Sequence, residues 1–314
     1  QAVTHPVVDA LTSLASISCV AGHLCVAVGS TSTGNGAIVA STDAGHTWSS
    51  ELVPPGVPSL YGVACAQDHC IAVGTESRSG IIIATGDGGL AWHRQQAALD
   101  QAVRLYSVAC ASASDCIAVG AGVTTSDDVL VTRDGGAHWE SHAVSSSIGE
   151  LLDVTCPSTT HCVAVGTSTA GLGAVVTTSD FGSSWVVRTL PADIASLTSV
   201  SCGSSEACTA VGARSAGGDG VLAISSNGGA TWSGKPVGGR IVELSAVSCV
   251  SAAQCTATGV GALGRGVVIA VTGGPAWQAI ALPSGTRGLD AVAYWLPDEV
   301  LVAGSGLLSE APGS

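Results

Sequence analysis

Along the whole chain, short runs of Val, Ala and Ile are broken every few positions by Gly, Ser, Thr or Asp. No run approaches the roughly 18 to 20 apolar residues of a membrane-spanning helix. The pattern therefore predicts many short strands joined by tight turns, with the hydrophobicity belonging to a buried β core. Two phrases recur. One is Leu-x-x-Val/Ile-x-Cys, followed after four or five residues by Cys-x-Ala-x-Gly. Its leucine stands at Leu14, Leu60, Leu105, Leu151, Leu197, Leu244 and Leu289. The other ends in a tryptophan, at Trp48, Trp92, Trp139, Trp185, Trp232 and Trp277, with intervals of 44 to 47 residues.

Each repeat reads as four strands: one like LYSVAC, one like CIAVG, one like VVTTS and a fourth starting at the tryptophan. A unit of that size cannot bury both faces of its own sheet, so it must stack on neighbours, and a closed stack leaves no bare ends. An open solenoid is the rival. The chain ends favour closure, because QAVTHP matches VVRTLP of a fourth strand, while LDAVAY, VLVAG and GLLSEA supply strands one to three. The expectation is an all-β, seven-bladed β-propeller of four-stranded antiparallel blades over residues 1–314. Residues 1–8 would complete the last blade with 289–314.

The twelve cysteines form six close pairs: Cys19 with Cys25, Cys65 with Cys70, Cys110 with Cys116, Cys156 with Cys162, Cys202 with Cys208, and Cys249 with Cys255. Counting alone does not fix connectivity, but the regular spacing favours one disulfide across the first hairpin of each unit. Zinc is the competing reading. It would need four ligands to converge, and the pairs lie in separate units without Cys-x-x-Cys spacing. In the last unit Tyr294 and Val300 stand at the cysteine positions. Six disulfides imply an oxidising compartment, hence an extracellular, secreted or cell-surface protein. Gln1 at the start fits a trimmed product.

The phrases STDAGHTW, TGDGGLAW, TRDGGAHW, TSDFGSSW and SSNGGATW, and a shortened TGGPAW, resemble the Asp-box or BNR repeat. That repeat occurs in sialidases, xyloglucanase-type glycoside hydrolases, sortilin-like receptors and photosystem II assembly-factor propellers. The resemblance implies a structural role. Asp43, Asp87, Asp134 and Asp180, with Asn227 in the fifth unit, would bond turn amides between strands three and four, and the tryptophans would pack between blades. One carboxylate per turn is too few for calcium.

Ten basic residues and a net charge of -13 exclude a nucleic-acid partner and disfavour an anionic membrane surface. His23, His69 and His161 sit near the second cysteine of different units, where convergence on a metal is not expected, and they read as surface residues. The glycines read as turn residues, and no cofactor motif occurs. In propellers the useful face carries the loops from strand two to three and from strand four to the next strand one. The latter carry Arg104, Glu150, Asp153, Arg240, Glu243, Arg287 and Asp290, with Tyr61 and Tyr106 just inside. These nine residues are the candidates for a ligand site at the channel mouth. Sialidase chemistry would draw on Arg104, Arg240, Arg287 and Tyr106, but the Arg-Ile-Pro signature is absent. A xyloglucanase-like cleft would need spare tryptophans and two facing carboxylates, and only Trp295 lies outside the boxes. The expected function is a non-catalytic module binding a protein or glycan, with a glycoside hydrolase as the alternative and a subunit of a surface assembly as a third reading.

Overall fold

The computed structural model describes residues 4–6, 11–20, 23–43, 45–77, 79–95, 103–122, 129–214, 219–237, 241–272, 276–297, 299–304 and 307–312. Within them the strands form four-stranded antiparallel meanders. Consecutive strands build sheets one to six, over residues 11–50, 60–94, 103–142, 148–188, 194–236 and 241–280. A closing sheet joins Leu289–Leu296, Glu299–Gly304 and Leu307–Pro312 to Thr4–Pro6, pairing Thr4 with Ser309 and Pro6 with Leu307.

Apolar clusters lie between neighbouring sheets. Val26 and Ile38 of sheet one meet Val63 and Ile83 of sheet two. The circuit ends where Ala291 and Leu301 of the closing sheet meet Leu14 and Val39 of sheet one. Each sheet is thus a blade, with its first strand lining a central channel. Second strands are covered on both faces, so Cys25–Val28 and Cys70–Val73 are wholly buried. That burial explains why they run apolar without alternation. Among the described fourth strands, Ser233–Pro236 is exposed throughout and Ser49–Ser50 and His93–Arg94 likewise, while Val186–Arg188 puts two valines into water.

Six disulfides close the first hairpins, pairing the cysteines as the repeat predicts, with Cα–Cα distances of 4.0–4.1 Å. No cysteine is free for zinc. In the closing sheet Tyr294 faces Val300 in register. The Tyr294 hydroxyl lies 2.7 Å from Thr256 Oγ1 of sheet six, a polar tie between sheets where the hairpin has no covalent one.

The glycine of Cys-x-Ala-x-Gly lies in the second strand, as the CIAVG pattern reads. The reading of the glycines as turn residues does not hold for it, because a close backbone approach requires it there. A β carbon on Gly120 would stand 1.6 Å from the Arg104 carbonyl oxygen. At Gly29, Gly74, Gly166, Gly212, Gly259 and Gly304 the equivalent contact is 2.0–2.3 Å. Only hydrogen fits at such an approach.

The turns between strands three and four are built alike. Asp43 accepts from the Thr47 amide at 2.8 Å and from the Thr47 hydroxyl at 2.6 Å, while the Ser41 hydroxyl donates to it at 2.8 Å. Asp87, Asp134 and Asp180 repeat the arrangement, and Asn227 accepts from the Thr231 amide at 2.9 Å. The tryptophans pack against the preceding blade, Trp92 among residues of sheets one and two and Trp48 among those of the closing sheet and sheet one. Trp139, Trp185, Trp232 and Trp277 follow the same rule. The extra tryptophan, Trp295, is buried beside Trp48 and lines no groove.

Hydrogen bonds to the ionised form hold three of these carboxyls at about 2, against an ordinary 3.8. The largest contributor is the Thr47 hydroxyl at Asp43, the His138 amide at Asp134 and the Ser184 hydroxyl at Asp180. A carboxyl depressed on folding adds stability above its ordinary pKa, and that stability is lost as pH falls through the folded value. Asn227 shows that an amide keeps the turn. The triple variant Asp43→Asn, Asp134→Asn, Asp180→Asn should therefore fold normally at pH 7. Its thermal midpoint should fall less steeply than that of the parent between about pH 4 and 2, and an equal slope would contradict this role.

Of the histidines, His23 is exposed as expected, whereas His69 and His161 are partly buried. His23 Nε2 lies 2.6 Å from Asp68 of the next blade. His69 and His161 bury their Nε2 atoms and pack against Gly135 and Gly228 of the following blades. They are contacts between blades, and among the described residues no His/Cys/Asp/Glu cluster suits a metal.

Candidate functional site: the channel mouth

Each first strand carries a bulge just after the repeat leucine. The register steps from Leu14 to Ser16, Leu60 to Gly62, Leu105 to Ser107, Leu151 to Asp153, Leu197 to Ser199, Leu244 to Ala246 and Leu289 to Ala291. The skipped residues are Ala15, Tyr61, Tyr106, Leu152, Thr198, Ser245 and Asp290, and all of them line the channel. A bulge re-aims one side chain and kinks the strand. Here it delivers one variable side chain per blade to a common mouth. The same kink brings the carbonyl before the leucine against the second-strand glycine.

The channel encloses about 460 Å³. Its mouth is two-sided. Tyr61 and Tyr106 meet edge to face at 6.3 Å between ring centroids, with Ala15 and Leu152 flanking them around the ring. Thr198, Ser245 and Asp290 form the polar arc. Thr198 donates to the Leu244 carbonyl at 2.8 Å, which ties it to the next blade. Burial pushes the Asp290 carboxyl above the usual range, and no described residue bonds it.

Asp153 behaves otherwise. It lies one position further along, within the strand. Its Oδ1 accepts from the Ser107 hydroxyl at 2.6 Å and the Val154 amide at 2.9 Å. Its Oδ2 accepts from the Ser199 hydroxyl and the Val200 amide, both at 2.8 Å. Ser199 in turn accepts from Val247 N–H of sheet six at 3.2 Å. One carboxylate therefore ties sheets three, four and five, with a relay into sheet six. Burial raises the Asp153 carboxyl, and the four hydrogen bonds pull it back toward the charged form. Its oxygens are occupied, so it is a tie and not a free rim charge.

Of the nine candidates from sequence, the structure brings Tyr61, Tyr106, Asp153 and Asp290 together. Arg104, Glu150 and Glu243 do not line the channel, and Arg287 lines a second cavity. Arg240 lies outside the described residues. Ala15, Leu152, Thr198 and Ser245 were not singled out from sequence. Their signal is register, since each occupies the Tyr61 position of its repeat. Among the described residues lining the channel are two carboxylates, three phenols and no basic side chain.

A ring of four-stranded blades around such a channel defines a β-propeller. No family model and no curated protein matches the chain in sequence. Among solved structures it is similar to YCF48 bound to D1 peptide, with 16% identity over 100% of this chain and 97% of that one, at a TM-score of 0.73. It is also similar to a streptogramin B lyase, with 12% identity over 99% and 96% and a TM-score of 0.79. A xyloglucanase from Xanthomonas campestris gives 13% identity and a TM-score of 0.72, with 99% of this chain matching 53% of that one. At these identities the likeness is one of fold.

Proposed function

We propose that the chain is a non-catalytic secreted or cell-surface propeller of the Asp-box kind. In this reading the closing sheet serves as the seventh blade, and the ring of bulge residues binds a partner at the channel mouth. The observation that carries the reading is the convergence of one re-aimed side chain from every blade on a mouth with an aromatic half and a polar half. A protein partner is favoured, and the YCF48 structure with its peptide gives a precedent on the same fold. The absence of any base among the described channel residues disfavours an anionic sialoside. The hydrogen-bonded state of Asp153 leaves Asp290 without a second free carboxylate for glycoside hydrolysis.

The experiment is a binding screen of the protein and a Tyr61→Ala/Tyr106→Ala variant against immobilised peptide and glycan libraries. Tyr61 is exposed and Tyr106 half-buried, and neither belongs to a core cluster, so the thermal midpoint should stay within about 2 °C. Affinity for peptides bearing a Lys or Arg side chain should fall at least tenfold, an expectation of about 1.4 kcal/mol. Undiminished binding, or turnover of sialosides or β-glucans lost on Asp290→Asn, would overturn the reading.

A further inference from the structure

A second cavity, of about 830 Å³, opens at sheet six and the connection that follows it. Its apolar wall includes Trp277, Ile280, Leu282 and Leu263. Leu263 is 94% exposed and adopts a left-handed backbone with φ of 67°, rare for a non-glycine residue. Arg265 and Arg287 line the same cavity. They face each other across an isolated antiparallel bridge. Residues directly opposite in such a bridge project to one side, where like charges repel.

No described carboxylate pairs with either guanidinium, although the chain carries 23 acidic residues against 10 basic ones. Four other described arginines find partners, while Arg104, alone on its strand, has no charged neighbour there to repel. Arg94 bonds Glu76, Arg214 bonds Asp193, Arg188 bonds Thr177, and Arg133 lies over the Phe181 ring. Two adjacent unneutralised forks beside an apolar cavity match a planar oxyanion joined to an apolar body. The cavity also falls within the size range of small-molecule sites.

We propose that this cavity is a binding site for a small apolar molecule that ends in a carboxylate. The apolar body would lie on Trp277, Ile280 and Leu282, and the carboxylate would bridge Arg265 and Arg287. The site is separate from the channel mouth and does not depend on what binds there.

The test is calorimetric titration of the full chain with decanoate, methyl decanoate and decylamine. Decanoate should bind saturably, the ester at least tenfold more weakly, and the amine not at all. Arg265→Gln/Arg287→Gln should weaken decanoate at least tenfold, while Tyr61→Ala/Tyr106→Ala should leave it unchanged. No decanoate binding, equal binding of acid and ester, or full affinity in the double arginine variant would overturn the proposal. The comparison of acid with ester needs only the parent protein, so it decides even if the arginine variant fails to fold.

Discussion

Gly120→Ala is expected to abolish accumulation of folded protein, or to lower the unfolding free energy of what is recovered by about 3 kcal/mol or more. A β carbon there would sit 1.6 Å from the Arg104 carbonyl oxygen. Neither partner can retreat. Gly120 pairs with Leu105 of the first strand, and the residues before it, Ile117, Ala118 and Val119, pair on both edges and have no exposed surface. The Arg104 carbonyl is fixed by the bulge at Tyr106, so relief of the clash means undoing the bulge and withdrawing the tyrosine from the channel. Gly86→Ala is the control. No atom lies within 4 Å of a β carbon there, and its φ is unexceptional, so its effect should stay within about 0.5 kcal/mol. Denaturant midpoints measure both, and parity between the two variants would refute the close approach.

Reduction of the disulfides should have the next largest effect. Each bond closes a loop of five or six residues, and a loop that short contributes about 2 kcal/mol in the chain-entropy model. Six such contributions reach the order of a whole domain's net stability, about 5 to 15 kcal/mol. The fully reduced protein should therefore unfold cooperatively at or below 37 °C, with loss of its far-UV dichroism. All six bonds lie within hairpins and none joins two blades, so their losses should add as those of distant sites do. Removal of one pair, as in Cys110→Ala/Cys116→Ala, should lower stability by about 2 kcal/mol. A thermal midpoint unmoved by reductant would overturn the expectation.

Much of the fold was legible because its determinants recur. The leucine, the paired cysteines, the aspartates and the tryptophans stand at fixed intervals, and each performs the same local task in every blade. The glycine of Cys-x-Ala-x-Gly recurs just as strictly, yet its role was hidden, because the contact it makes is with a carbonyl about 16 residues away, displaced by a bulge. Alternation patterns count residues and cannot show an inserted one. The candidate site was misjudged for the same reason. Arg104, Glu150 and Glu243 lie near the mouth in sequence, but their positions before the bulge turn them away from the channel. Asp153 lies one position after it, where a carboxylate joins blades. The arginine pair of the second cavity was invisible for a different reason, since Arg265 and Arg287 meet only through a backbone bridge between separate loops.

The bulge has a consequence for how such a protein diversifies. The re-aimed residue is left out of the cross-strand register and belongs to none of the clusters between blades. Ala, Tyr, Leu, Thr, Ser and Asp all occupy it within this one chain. Selection can therefore rewrite the recognition surface one spoke at a time, with little penalty in foldedness. A set of related rings could then share one interior while each reads a different partner.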